Sequence, residues 1–154
     1  MTSWILQFDG AYKPSTKAAG VGVKLTSPGG EVYCYSKSSP ASTCNQAEYS
    51  ALIFGLQKAQ EHRIQQLEVR GDSQLVCEQV SGRWKVRSEG LVPRHRQALE
   101  LCKQFVEVKI QHIPRSQNSV ADFLAREACT LSTHETSGST TATKLQATNE
   151  SNQL

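Results

Sequence analysis

Four acidic residues, Asp9, Glu48, Asp72 and Asp122, lie far apart in the chain, each at the edge of a segment with strand or helix character. Carboxylates gathered in one cleft repel one another, and their pKa values rise unless a cation compensates. A hard divalent ion does so, because it takes oxygen ligands, keeps several waters and is commonly shared with substrate phosphate. Two such ions about 3.5–4 Å apart activate water on one side of a phosphodiester and stabilise the leaving oxygen on the other. Four acids so placed point to phosphodiester hydrolysis. Taken singly, each reads equally well as a turn or helix-start residue, so the combination carries the inference. Gly10 and Ala11, small residues directly after Asp9, leave room for a phosphate or sugar to approach the strand end.

The elements that must position these acids follow from the apolar pattern. Trp4 to Phe8, Gly20 to Leu25 and Glu31 to Ser36 read as three antiparallel strands, with a hairpin turn at Pro28-Gly29-Gly30 and a loop over Gly10 to Lys17. Leu52, Leu56 and Ala59 recur at helical steps from Ala47 to Glu61, with Thr43 or Asn45 as the cap. Leu67 to Gly71 alternates as a strand, and a short helix starts at Ser73 and ends at Gly82. Leu91 to Gln104 reads as a helix, Phe105 to Ile113 as the fifth strand and Asn118 to Cys129 as the last helix. The expected fold class is α/β, a five-stranded mixed sheet in the order βββαβαβα with helices on both faces.

Composition bounds the rest. A chain of 154 residues fits one domain, expected over residues 1–131. Residues 132–154 are rich in Ser, Thr, Asn and Gln and too poor in large apolar side chains to offset the entropy of ordering, which predicts a disordered tail. The net charge is only +3, yet Arg83, Lys85, Arg87, Arg94 and Arg96 cluster against the single acid Glu89, favouring a polyanionic partner. Five cysteines without a C-x-x-C pair suggest neither a disulfide framework nor a zinc site, and predict buried reduced thiols in a cytoplasmic protein. No run of about 18 apolar residues marks a membrane span, and the amino terminus lacks the basic start of a signal peptide. A monomer is expected.

Several separate motifs together carry a resemblance. Phe8-Asp9-Gly10-Ala11, Thr43-x-Asn45-Gln46-Ala47-Glu48-Tyr49, Gly71-Asp72-Ser73-Gln74-Leu75-Val76, Trp84-Lys85-Val86 and Ile113-Pro114-Arg115-x-x-Asn118-x-x-Ala121-Asp122-x-Leu124-Ala125 occur in order. Over about residues 3 to 129 the chain resembles type 1 ribonuclease H, in a compact form without the basic handle. The resemblance implies that Asp9, Glu48, Asp72 and Asp122 are catalytic and ligate two Mg²⁺ ions, with Mn²⁺ as a substitute. It implies cleavage of the RNA strand of an RNA–DNA hybrid, leaving 3′-hydroxyl and 5′-phosphate ends. It also places Gly10, Ala11, Thr43, Asn45, Gln46 and Ser73 beside the substrate and the DNA strand along Trp84 and Lys85. Amides suit reading of the 2′-hydroxyl, and an aromatic ring beside cations suits a sugar-phosphate backbone.

Departures from the family pattern set further expectations. Cys44 stands where the first of two Asn residues is common, which predicts relaxed hybrid selectivity and leaves double-stranded RNA open as a second substrate. The loop before Asp122 has no His, and His112 is expected in the fifth strand, so Arg115 is the candidate auxiliary group for phosphate contact, with a solvated loop Arg as the equal alternative. The competing reading from another class is a non-catalytic module of the same fold that binds hybrid or double-stranded nucleic acid. A structure-specific nuclease or transposase of the wider superfamily is disfavoured by the short chain.

Overall fold

A computed structural model describes residues 3–131 and 141–145. The apolar start forms β1, Trp4–Lys13, whose alternation buries Leu6 and Phe8 completely. β2 (Ala18–Thr26) and β3 (Val32–Ser38) follow antiparallel, and Gly30 N–H closes the turn between them by donating to Ser27 O at 2.9 Å. Then come α1 (Cys44–Glu61), β4 (Gln66–Gly71), α2 (Gln74–Val80), α3 (Val92–Cys102) and β5 (Glu107–His112). A 3-10 turn over Arg115–Gln117 leads into α4, Ser119–Leu131. β4 lies parallel to β1 and β5 parallel to β4, so β1 joins an antiparallel half of the sheet to a parallel half. These five strands form the expected mixed sheet.

Two expected boundaries are corrected. The stretch from Gly10, read as a loop, is strand as far as Lys13, because β2 offers paired backbone from Gly22 opposite Asp9 to Ala18 opposite Lys13. Asp9 therefore lies within a strand. The first helix begins at Cys44, since Thr43 Oγ1 accepts from Gln46 N–H at 3.1 Å and the Gln46 side chain accepts from Ser42 N–H at 2.7 Å. Both contacts satisfy donors that a helix start leaves open.

A sixth strand, β6 (Thr141–Leu145), pairs antiparallel with β3, Val32 opposite Leu145 and Ser36 opposite Thr141. For these residues the expectation of a disordered tail is corrected. The outer edge of β3 presents a row of backbone donors and acceptors, and a strand laid along it satisfies them whatever its side chains bury. Residues 132–140 and 146–154, the remainder of the expected tail, lie outside the described residues.

Helices cover both faces of the sheet, and two glycines set how closely. A Cβ on Gly10 would stand 2.2 Å from Ala47 O of α1, and one on Gly22 would stand 2.4 Å from Ala121 O of α4. Gly22 is paired with Asp9, so alternation puts the two glycines on opposite faces. Each lets a helix backbone touch the sheet, and each contact falls next to an acid carried by that helix, Glu48 or Asp122. Between α1 and the sheet lies the core, where Leu6, Phe8, Val21, Val23, Tyr49, Leu52, Leu56 and Val69 are buried. α3 is peripheral, with only Ala98 fully covered among its residues.

Candidate active site

The last register pair between the parallel strands β1 and β4 is Phe8 with Gly71. Beyond it the chains part: β1 continues beside β2, while β4 turns into α2. Asp9 is the next residue of β1 and Asp72 the first residue after β4, so both acids stand at the fork. A crevice at the carboxyl ends of parallel strands is where open α/β sheets place ligands. β5 ends there as well, His112 opposite Gly71, and delivers the loop that carries Arg115 and Asn118.

Three acids converge at this fork. Carboxylate oxygens of Asp9, Glu48 and Asp72 lie within 4.8 Å of one another. Gly10 N–H donates to both Asp9 Oδ1 at 3.0 Å and Glu48 Oε1 at 3.1 Å, tying the strand acid to the helix acid through one backbone group. Asp72 accepts from Asn118 Nδ2 at 3.3 Å, and Arg115 Nε stands 3.5 Å from its other oxygen. Asp122 lies alongside the tight group. Its carboxyl meets that of Asp9, and Arg126 grips it through two nitrogens at 2.8 and 3.1 Å.

Charge is compressed here. Burial pushes the Asp9 carboxyl far above its ordinary range, and Glu48, Asp122 and Asp72 push it further. Glu48 is raised by burial and by Asp72, while its hydrogen bonds to Asp9 and Gly10 and the charge of Arg115 pull the other way. Asp9 and Glu48 thus favour their protonated forms until a cation compensates. Convergent all-oxygen donors of this kind fit a hard divalent ion.

The other sequence-predicted residues divide between two clefts. Gly10, Ala11, Arg115 and Asp122 line a cleft of about 430 Å³ with Asp9 and Glu48, and Cys44, Tyr12, Lys13 and Arg126 share its wall. Thr43, Asn45, Gln46, Trp84 and Lys85 line a larger cleft of about 830 Å³ between the starts of α1 and α3. Trp84 is 45% exposed, so it does not serve as a cover for the core edge. Its loop is nonetheless anchored: Tyr49 OH donates to Gln79 Oε1 at 2.6 Å, and Gln79 Nε2 donates to Lys85 O at 3.3 Å. Ser73 lines neither cleft, and its hydroxyl caps α2 by accepting from Val76 N–H. Gly10, although it lines the acid cleft, also lets α1 approach the sheet. The space its missing Cβ leaves is filled by α1, not by open cleft.

Two residues of the site were given no role by the sequence. Asn118 is fully buried and its amide donates to Phe8 O at 2.9 Å as well as to Asp72, clamping β1 to the acid beyond β4. Arg126 was detectable, since it follows Asp122 at the i,i+4 spacing that pairs side chains along a helix. Asn118 gave no such signal, because its partners are 110 and 46 positions away. Cys44 is exposed, against the expectation that the cysteines are buried. No described helix is long and apolar enough to cross a membrane.

Fold and acid cluster together define a domain of the ribonuclease H-like class. The family profile described as reverse transcriptase-like matches residues 7–128. Ribonuclease HI of Halobacterium salinarum is 40% identical over 122 residues, 79% of this chain and 61% of that protein. The crystal structure of RNase H1 from the same archaeon superposes with a TM-score of 0.78 at 38% identity, covering 82% of this chain and 96% of the other. The N-terminal RNase H domain of Rv2228c from Mycobacterium tuberculosis gives a TM-score of 0.80 at 31% identity, over 87% of this chain and 98% of that one. LC11-RNase H1, isolated from compost and solved in complex with RNA/DNA hybrid, gives 0.78 at 30% identity over 84% of this chain and 99% of its own. The chain belongs to the type 1 ribonuclease H family. It spans 61% of the Halobacterium protein and 40% of the mycobacterial bifunctional protein.

Proposed function

We propose that this chain is an endoribonuclease that hydrolyses the RNA strand of RNA–DNA hybrids, with Asp9, Glu48, Asp72 and Asp122 holding two Mg²⁺ ions, or Mn²⁺ in their place. The convergence of three carboxylates within 4.8 Å at the β1/β4 fork carries the reading. When bound, such ions neutralise the acids, activate a water and stabilise the leaving 3′ oxygen, giving 5′-phosphate and 3′-hydroxyl ends. The chain itself supplies the positions. Gly10 N–H and Asn118 fix three of the acids, while Arg126 holds Asp122 until a cation competes for it. Arg115, 76% exposed beside Asp72, is placed to meet a phosphate oxygen.

The second cleft supports the choice of substrate. Trp84 and Lys85 offer a ring and a cation to the DNA strand, and exposed Asn45 lines the same cleft, next in sequence to Cys44 of the acid cleft, where its amide suits the RNA minor groove. LC11-RNase H1, 30% identical to this chain, was solved in complex with an RNA/DNA hybrid, which supports a hybrid as the substrate. A cytoplasmic monomer acting through residues 1–131 completes the proposal. A panel of RNA–DNA, RNA–RNA, DNA–DNA and single-ribonucleotide duplexes tests it. Hybrid cleavage in Mg²⁺ that Asp72→Asn abolishes, with the variant still folded, is the expected result. Equal cleavage by that variant, or preference for DNA–DNA, would refute the assignment.

A further inference from the structure

A third groove, of about 460 Å³, lies where α1 packs beside α3, and it is basic. Lys37 and Arg94 line it, and no acidic residue does. Lys37 projects from β3 with its Nζ 4.8 Å from the centre of the Phe54 ring. Arg94 is held by two hydrogen bonds, Nε to Ser50 Oγ at 3.1 Å and Nη2 to Pro40 O at 3.2 Å. Those bonds fix the guanidinium plane and leave Nη1 without a hydrogen bond among the described residues, so the cation is preorganised for an oxyanion.

The groove adjoins the Trp84 cleft along the seam between α1 and α3. Gln46 of α1 lines that cleft and bonds Gly90 O at 3.3 Å, just ahead of α3. Ser50 and Gln57, four and eleven residues further along α1, line the basic groove, as Arg94 does from α3. At about 1.5 Å per helical residue the seam from Gln46 to Gln57 spans roughly 16 Å. A nucleic-acid strand carries one phosphate per about 3.4 Å of axis, so this length takes on the order of five nucleotides.

Building on the function proposed above, we propose that Lys37 and Arg94 form a distal phosphate subsite that holds the DNA strand several nucleotides beyond the Trp84 cleft. The occupant is a polynucleotide backbone. The reasons are adjacency to that cleft and a lining with two cations and no acid. Ile53 and Phe54 form an apolar floor suited to the sugars.

The test compares a hybrid just long enough to cross the acid and Trp84 clefts with one whose DNA strand is extended by about six nucleotides at either end, enough to cover the seam. Binding is read by fluorescence anisotropy across a salt series, separately from cleavage. Wild type is expected to bind one extended hybrid roughly tenfold more tightly than the short one, with a salt slope steeper by about 0.9 per added phosphate contact. Lys37→Ala with Arg94→Ala should remove that gain, and Lys37→Arg should retain it. Circular dichroism of the double variant guards against misfolding, and Arg94→Lys, which keeps the charge without the fork, should retain only part of the gain. Absence of any length dependence in wild type, or its persistence in the double variant, overturns the subsite. Length-dependent binding without cleavage would instead count against the proposed activity.

Discussion

The two clefts that meet at the start of α1 are built on opposite principles. In the acid cleft, buried and half-buried carboxyl groups are brought together, and glycine contacts hold the backbones that carry them. In the Trp84 cleft most lining residues are exposed and of mixed character, and some are already hydrogen-bonded to their own neighbours, as Gln46 is to Gly90 and Ser42. The first is strained without a cation and tolerates little displacement. The second is relaxed, and its contribution is spread over several weak contacts. On the function proposed above the contrast has a reason: chemistry demands fixed geometry, whereas gripping a backbone of repeating phosphates does not.

The sharpest way to break this contrast is Gly10→Ala. The new Cβ would meet Ala47 O at 2.2 Å and Glu48 N at 2.6 Å, so α1 must move away from β1. Overpacking of this kind costs about 1–3 kcal/mol of stability. A displacement of Glu48 by about 1 Å lowers kcat on the order of 100-fold. Thermal melts and single-turnover cleavage check both numbers. A fully active Gly10→Ala enzyme would show that the acid cleft is as forgiving as its neighbour.

Asp9→Asn separates the electrostatic part. Asp9 and Glu48 have folded-state pKa values raised above those of an unfolded chain. Groups raised in this way favour the folded state at low pH, and that contribution is lost as pH rises through the folded values. From about pH 4 upward, where unfolded carboxyls ionise, the metal-free protein should therefore lose stability. Asp9→Asn should flatten that decline and raise metal-free stability near neutral pH by about 1–2 kcal/mol, while abolishing turnover. Melts in chelator from pH 5 to 9 give the test. A variant less stable than wild type at every pH would mean that the acids are not strained.

Trp84→Ala probes the relaxed side and should be milder. With the ring 45% exposed, stability should change by no more than about 0.5 kcal/mol. Loss of ring contact should raise KM roughly tenfold, since stacking contacts contribute about 1–3 kcal/mol, and should leave kcat near wild type. A fall in kcat instead would couple the two clefts through Tyr49, Gln79 and Lys85.

The same contrast governs what the sequence disclosed. The acids were legible because a polar residue closing an apolar segment stands out locally, and Asp9 and Asp72 both do so. Their supports were not. Gly10 read as space for a ligand, because sequence cannot show that α1 occupies that space. Asn118 stood in a motif before Asp122 without a role, because only the fold brings Phe8 O and Asp72 to its amide. The continuation of β1 to Lys13 was hidden for the same reason: only pairing with β2 makes strand of a segment whose own residues favour a loop.

Removing residues 132–154 should have the smallest effect, and it tests whether either cleft depends on the far edge of the sheet. β6 pairs with β3, which is separated from β1 by β2, whereas the acids gather at the fork between β1 and β4. Loss of β6 re-exposes the outer backbone groups of β3 but disturbs no side chain that lines the acid cleft. Cleavage of a short hybrid should therefore stay within about twofold, since sites without shared partners behave additively. The cost should appear as association at high protein concentration, because an uncovered edge strand is a template for pairing with another copy. Light scattering beside a cleavage assay distinguishes the two. A drop in kcat without association would place the tail in contact with the catalytic half, and the division of labour between the two clefts would then have to include a third element.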